Sequence, residues 1–395
     1  MLEFSIPLTF RHRAFFTRDI FHAENHTLRE AIDSQDIASK RILCVIEHEV
    51  ATSNPQLASK AQSYLDLLTP QTTVLTLQGG ENVKNSTALV DQIHRLVNIH
   101  HIDRHSYILC VGGGAFLDAV GFGAATAHRG IRLIRLPSTT LSQCDSGVGV
   151  KNGINLFGKK NFTGTFAVPW AVVNDIDLLT TQPSDTREVG LVEALKVALI
   201  KDADFFEFIA DHTNELNAFD PDTVESVIKR SAELHMAHIA TAGDPFELGS
   251  SRPLDFGHWS AHKLEQLTDF TCSHAEAVSI GVALDVLYST RIGLLDETVA
   301  DRILQSMTAL GYPLWHDTLK APSKDTNQFA IFDGIAEFRE HLGGQLTVMM
   351  LTSIGSGQDL HEIDEMLMTD CINELQQLAS SGRLVIPAPT LPRPN

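Results

Sequence analysis

Short apolar runs recur through the first half of the chain, at residues 42–46, 74–77, 107–111, 131–136 and 171–173, with helix-compatible stretches between several of them. That alternation predicts a parallel α/β sheet. After Asp175 the pattern changes, and apolar residues return at helical spacing over 187–209, 224–242, 260–267 and 276–294. The second half therefore reads as a helical domain. The polar, proline-containing stretch Thr181-Gln182-Pro183-Ser184-Asp185 suits a linker. It divides the chain into an N-terminal domain over 1–182 and a second domain over 183–385. The last residues, 386–395, carry Pro387, Pro389, Pro392 and Pro394 and read as an extended tail. At the other end, MLEFSIPLTF alternates apolar and polar residues as a strand does.

A chain of 395 residues is long enough for two cores, and its 49 acidic against 30 basic residues give a net charge of −19. Such a surface disfavours nucleic acid and anionic membranes as partners. Five scattered cysteines, Cys44, Cys110, Cys144, Cys272 and Cys371, fit reduced, buried thiols better than a disulfide framework. The start lacks a basic-then-apolar signal pattern, and no stretch is long enough to span a bilayer. The expectation is a soluble, cytoplasmic protein.

Residues 107–111 run into Gly112-Gly113-Gly114 and then an amphipathic stretch over 115–127. A strand, a glycine turn and a helix N-terminus make a phosphate cradle, because the glycines admit a pyrophosphate to unpaired backbone amides at the positive end of a helix dipole. A second turn, Gly79-Gly80-Glu81 with Lys84, follows residues 74–77, near the carboxyl ends of the same sheet, where ligands usually bind. Glu47 stands just after the first of these strands, either as an acceptor for a ribose or as a plain strand-end acid. Residues 137–153 and 158–161 are dense in hydroxyls, glycine and lysine and read as a long ligand-binding loop.

The helical half contains DFGHWSAHKLEQLTDFTCSH, residues 255–274, with three histidines close together. His258 and His262 are four apart and share one helical face, and His274 follows after a linker. Glu193 and Lys196, three apart among apolar residues, offer a candidate carboxylate ligand, and a Glu/His/His set leaves zinc an open position. The metalloprotease helix is excluded, because it needs a glutamate where Trp259 stands. A coincidental histidine pair and an ordinary helix-surface ion pair are the plainer readings of the same residues.

These pieces, in this order, resemble the 3-dehydroquinate synthase family, the sugar phosphate cyclases. The diagnostic strings are Gly79-Gly80-Glu81 with Lys84, GGGAFLDAVGFGAATAHRG over 112–130, PSTTLSQCDSGVGVKNG over 137–153, GKKNFTGTF over 158–166, Glu193 with Lys196, and FGHWSAH over 256–262 with His274. The resemblance implies a Rossmann-like N-terminal domain, a helical metal-binding domain, and a homodimer. It implies Glu193, His258 and His274 as ligands of a divalent metal, zinc or alternatively cobalt, with His262 at the substrate. Glu47, Glu81, Lys84, Gly113, Gly114, Asp118, Thr139, Thr140, Asp145, Lys151 and Lys160 then face NAD. Lys151, Asn161, Lys196 and Arg129 match polar substrate positions, with Arg129 reaching across the dimer. The implied reaction transiently oxidises a sugar phosphate, eliminates phosphate, returns the hydride and closes a carbocycle by an intramolecular aldol step.

The chain also departs from the family pattern. Asp255 replaces an asparagine, Ser251 replaces an arginine with Arg252 displaced by one, Ala237 replaces a lysine, and Phe338-Arg339-Glu340 replaces Asp-Lys-Lys. These changes remove cations that a carboxylate-bearing substrate needs. The expected substrate is 3-deoxy-arabino-heptulosonate 7-phosphate or a related ketose phosphate, with sedoheptulose 7-phosphate as the alternative to which Asp255 points. An NAD-dependent polyol dehydrogenase, or an inactive NAD-binding relative, is the alternative of another class.

Overall fold

The structure, a computed structural model, describes residues 1–157, 159–183, 187, 189–249, 251–323 and 328–381. The chain forms two compact units, residues 1–183 and 184–395. The proline-rich tail over 386–395, Gly158, and Ser184-Asp185 of the expected linker lie outside the described residues.

Strands β1 (Ala14–Thr17), β2 (Ile42–Glu47), β3 (Thr72–Leu77), β4 (Tyr107–Gly112) and β5 (Arg132–Pro137) alternate with helices in the first unit. A ribbon of β6 (Lys151–Leu156) and β7 (Lys159–Phe166) then precedes β8 (Ala171–Asp175). Six strands form a parallel sheet in the order β1-β8-β5-β4-β2-β3. Both faces are covered, so the central strands are apolar throughout rather than alternating. Ile42, Cys44, Ile46, Leu109 and Val111 pack into one core, and Leu43, Val45, Ile108 and Cys110 into the other.

From β2 the chain moves outward to β3, then crosses back to β4 on the other side of β2. This reversal opens a switch point between the carboxyl ends of β2 and β4, where Glu47 and the glycine turn lie.

Two expectations change. Residues 137–153 and 159–161 are not an irregular loop: they hold a π-helical turn, Ser142–Ser146, and enter the antiparallel β6–β7 ribbon. Arg135 explains the order, since its buried guanidinium donates to the carbonyl oxygens of Ser146, Gly147, Gly149 and Lys151 and to Asn152 Oδ1. The alternating N-terminal segment forms no strand before Ala14.

In the second unit, the helical stretch expected over 187–209 breaks at Asp202. Its side chain caps a new helix, Ala203–Asp211, by accepting from Phe205 N. Helices Pro221–Thr241, His258–Leu267 and His274–Arg291 follow, and a hairpin of β9 (Val348–Ser353) and β10 (Ser356–Leu360) was not legible as strands. No helix among the described residues is long and apolar enough to cross a membrane.

Candidate functional site

Helix Val192–Lys201 is buried on all sides from Val192 to Ile200, yet carries Glu193 in its first turn. A carboxylate there is costly without a cation. Lys196 places Nζ 2.5 Å from Oε2, but neither oxygen of Glu193 accepts a hydrogen bond of good geometry among the described residues. The carboxylate therefore retains unused acceptor capacity.

Two histidines approach its other oxygen: Nε2 of His274 lies 3.5 Å and Nε2 of His258 4.0 Å from Glu193 Oε1. Each is oriented by its second nitrogen. Nδ1 of His258 is 3.0 Å from the Phe256 carbonyl, and Nδ1 of His274 is 3.1 Å from Glu265 Oε2. A carbonyl or carboxylate can only accept, so each histidine donates through Nδ1 and leaves Nε2 as the ring nitrogen facing Glu193. One ligand atom from each of Glu193, His258 and His274 falls within 4.8 Å of the others, a spacing a single ion can bridge. These residues fit a divalent metal.

Local sequence explains the convergence. Ser273 and Glu276 form a capping box that starts the helix at His274. Gly257 adopts φ +77°, and a Cβ on Gly281 would strike the Gly257 carbonyl oxygen, so only glycine lets the two helices approach this closely. Asp285 accepts from Gly257 N and Trp259 Nε1, both at 2.9 Å, and so fixes the turn on either side of His258. Burial pushes the Asp285 carboxyl up to about 7 against those two hydrogen bonds.

The ring of His262 lies 5.2 Å from that of His258 and 5.9 Å from that of His274. His262, Glu265 and His274 make a second set with the same ligand spacing. Glu265 and Asp285 were missed by the sequence reading. Glu265 had a signal, falling seven residues after His258 on the same helical face, whereas Asp285 is one acid in an apolar helix.

Around Asp255, Arg252 has a side chain only 10% exposed, with Nε 3.5 Å from Glu247 Oε2. Ser251 Oγ bonds Asp359 Oδ2 at 2.5 Å. Asp255 is half-buried in the turn Pro253–Asp255, and Arg339 is exposed beside buried Phe338.

In the first unit the glycine turn leaves no room for side chains. Gly113 caps helix Gly114–Thr126, and a Cβ on Gly114 would meet Ser146 Oγ at 2.7 Å. The hydroxyls of Ser138 and Ser146 are buried without a hydrogen-bond partner among the described residues. Thr139 and Thr140 border this turn: Thr139 Oγ1 bonds Ser142 Oγ at 2.7 Å, and Thr140 N donates to Gln182. Asp145 lies half-buried in the π-helical turn. Orphaned hydroxyls beside unpaired helix amides fit a nucleotide phosphate.

Glu47 is buried, with Oε1 accepting from Gly80 N at 2.7 Å and Oε2 from Gly113 N at 2.6 Å. Burial raises its pKa against these bonds. It ties the two glycine turns together. Lys84 is buried too, bonding Asp118 at 2.8 Å and Asn161 Oδ1 at 2.6 Å. The structure thus gathers Lys84, Asp118 and Asn161 while leaving Glu81 exposed. Lys151 is exposed at the start of β6, and Lys160 half-buried in β7. Arg129 is exposed beyond the far end of helix Gly114–Thr126, away from its own chain's glycine turn.

The model of the 3-dehydroquinate synthase N-terminal domain matches residues 74–189, and that of the C-terminal domain matches residues 190–331. The chain belongs to the 3-dehydroquinate synthase family. Within that family, the 3-dehydroquinate synthase of Halorhodospira halophila is 30% identical over 331 residues, covering 84% of this chain and 91% of that protein. The enzyme of the same name from Rhodopirellula baltica is 34% identical over 69% of this chain and 72% of its own. Among solved structures, 2-epi-5-epi-valiolone synthase from Streptomyces hygroscopicus, with NAD+ and Zn2+ bound, matches with a TM-score of 0.83 at 23% identity, over 95% of this chain and 99% of that one. This likeness shows the same fold: a parallel α/β unit followed by a helical one.

Proposed function

We propose that this family member is an NAD- and divalent-metal-dependent sugar phosphate cyclase, a lyase that eliminates phosphate and closes a carbocycle. The observation that carries this reading is the buried Glu193 carboxylate with its unused acceptor capacity, faced by the oriented Nε2 atoms of His258 and His274. Glu193, His258 and His274 would hold the metal and the Gly112–Gly114 cradle would hold NAD; together the groups supply Lewis-acid polarisation of a substrate oxygen and reversible hydride acceptance. Glu193 is preferred to the Glu265 set because Glu265 already receives the Nδ1 proton of His274. Lys196, beside Glu193, binds a substrate oxygen or phosphate. His262, held among the other two histidines, is placed to move a proton at the substrate rather than to ligate. Glu47 and Lys84 shape the cofactor site by holding the glycine turns and the β6–β7 ribbon.

The substrate is a ketose phosphate. The surroundings of Asp255 favour one without a carboxylate: Arg252 is paired with Glu247, Ser251 is engaged by Asp359, and Asp255 adds a further acid. Sedoheptulose 7-phosphate is therefore preferred to 3-deoxy-arabino-heptulosonate 7-phosphate. The enzyme works as a cytoplasmic homodimer in which Arg129, remote from its own glycine turn, serves the second copy.

Purified protein with NAD and zinc or cobalt, given each sugar phosphate in turn, is expected to release inorganic phosphate with no net NADH. Release from the heptulosonate alone would reverse the substrate preference. No release from either, with NADH formed from a polyol, would replace the cyclase by a dehydrogenase.

A further inference from the structure

Strand β7 contains a residue with a backbone that no regular strand holds. Asn161 has φ +53°, in the left-handed region. The register of the ribbon shows why. Ile154 pairs with Thr163 and Leu156 with Lys159, so the single residue Asn155 on β6 stands opposite Lys160, Asn161 and Phe162 on β7. That excess makes a bulge, and a bulge takes backbone groups off the ladder. Asn155 supplies with its side chain what the ladder does not. Its Oδ1 accepts from Asn161 N at 2.9 Å, and its Nδ2 donates to Asn85 Oδ1 at 2.8 Å.

The side chain of Asn161 is held as well. Lys84 Nζ donates to Asn161 Oδ1 at 2.6 Å and to Asp118 Oδ2 at 2.8 Å. Lys84 and Asn85 are neighbours in the turn Glu81–Asn85, so one short turn grips the bulge at two points. Asparagine enters the left-handed region more readily than most residues, which accounts for the backbone of Asn161 but not for an amide fixed at a lysine. An ammonium only donates, so Asn161 faces it with the amide oxygen and carries its NH2 on the opposite side. Asn161 is exposed, and that NH2 is the group it can offer to a substrate oxygen.

We propose that Asn155 is a positioning residue: it holds the left-handed backbone of Asn161 and so aims the Asn161 NH2 at an oxygen of the sugar phosphate. This rests on the cyclase reading and on the substrate position that the family resemblance gives Asn161. Only an asparagine completes the clasp. An aspartate would still accept from Asn161 N but would set its second oxygen against Asn85 Oδ1, and an alanine loses both contacts.

The test compares wild type, Asn155→Ala and Asn155→Asp as full chains with NAD and zinc. Phosphate release is followed from sedoheptulose 7-phosphate or the heptulosonate, whichever the wild type accepts. Asn155→Ala is expected to raise KM about tenfold, the size of one lost hydrogen bond to substrate, with kcat changed less than about threefold. Asn155→Asp should keep KM within about threefold of wild type, because the bond to Asn161 N survives. NAD affinity by fluorescence titration and bound zinc by elemental analysis should match wild type in both variants. A fall in kcat at unchanged KM, the mark of a smaller folded fraction, overturns the positioning role, and so does an aspartate variant as impaired as the alanine one. Lost NAD affinity in Asn155→Ala overturns it too, since Asn155 would then serve the turn Glu81–Asn85 rather than Asn161. Unchanged kinetics in Asn155→Ala overturns it and leaves the cyclase reading standing. A wild-type protein that releases phosphate from neither substrate removes the cyclase reading, and this inference with it.

Discussion

His274 and Glu265 are joined by a 3.1 Å contact from Nδ1 to Oε2, which turns the opposite ring nitrogen toward Glu193. A carboxylate behind a ligating imidazole fixes its tautomer and raises its basicity. Glu265→Ala is therefore expected to weaken zinc binding about 10- to 100-fold, read by competition with a chromogenic chelator. Unchanged affinity would show that His274 is oriented by other means.

Glu193→Gln should lower bound metal more than Glu265→Ala does, because it removes the anionic ligand itself. Lys196→Met should retain the metal and lose turnover, since Lys196 sits beside the carboxylate and not among the candidate ligands. Elemental analysis of both variants, with phosphate-release assays of Lys196→Met, checks the pair. If Glu193→Gln kept its metal while Glu265→Ala lost it, the ion would belong to the His262, Glu265 and His274 set.

Lys84 and Asp118 form an ion pair with side chains only 6% and 18% exposed. Removing one partner strands the other, so Asp118→Ala should destabilise the protein by about 3 kcal/mol in urea unfolding. Lys84→Met with Asp118→Leu should recover most of that loss, because no buried charge then remains unpaired.

Burial pushes the Asp175 carboxyl up to about 6, against hydrogen bonds from Ile20 N and Asp177 N. A folded-state pKa above the unfolded one favours folding fully below about pH 4, and that contribution is lost as pH rises through 6. Relative to Asp175→Asn, the wild-type protein should lose about 3 kcal/mol of stability across this window. Denaturant titrations of both proteins between pH 4 and about pH 7 would show parallel curves if the carboxyl were not perturbed.

The parallel sheet was legible because strands buried on both faces must be apolar throughout, as at 42–46 and 107–111. The candidate metal trio was legible in part. Histidine spacing placed His258 and His262 on one face but could not rank them, since ranking depends on where Glu193 lies in space. Arg135 was not legible at all: an arginine within an apolar strand carries no local mark of the four carbonyls it gathers from beyond the strand's end.

Family membership, the two-unit order of elements and the residue types of the site are properties of linear pattern, and the sequence determined them alone. The tertiary structure decided which polar atoms are already engaged. Glu47 is committed to two backbone amides and Lys84 to Asp118, while Glu193 is buried with acceptor capacity to spare. The physical reason is that the cost of burying a charge depends on partners brought in from distant parts of the chain. A carboxylate reads the same in a sequence whether those partners satisfy it or leave it for a metal ion.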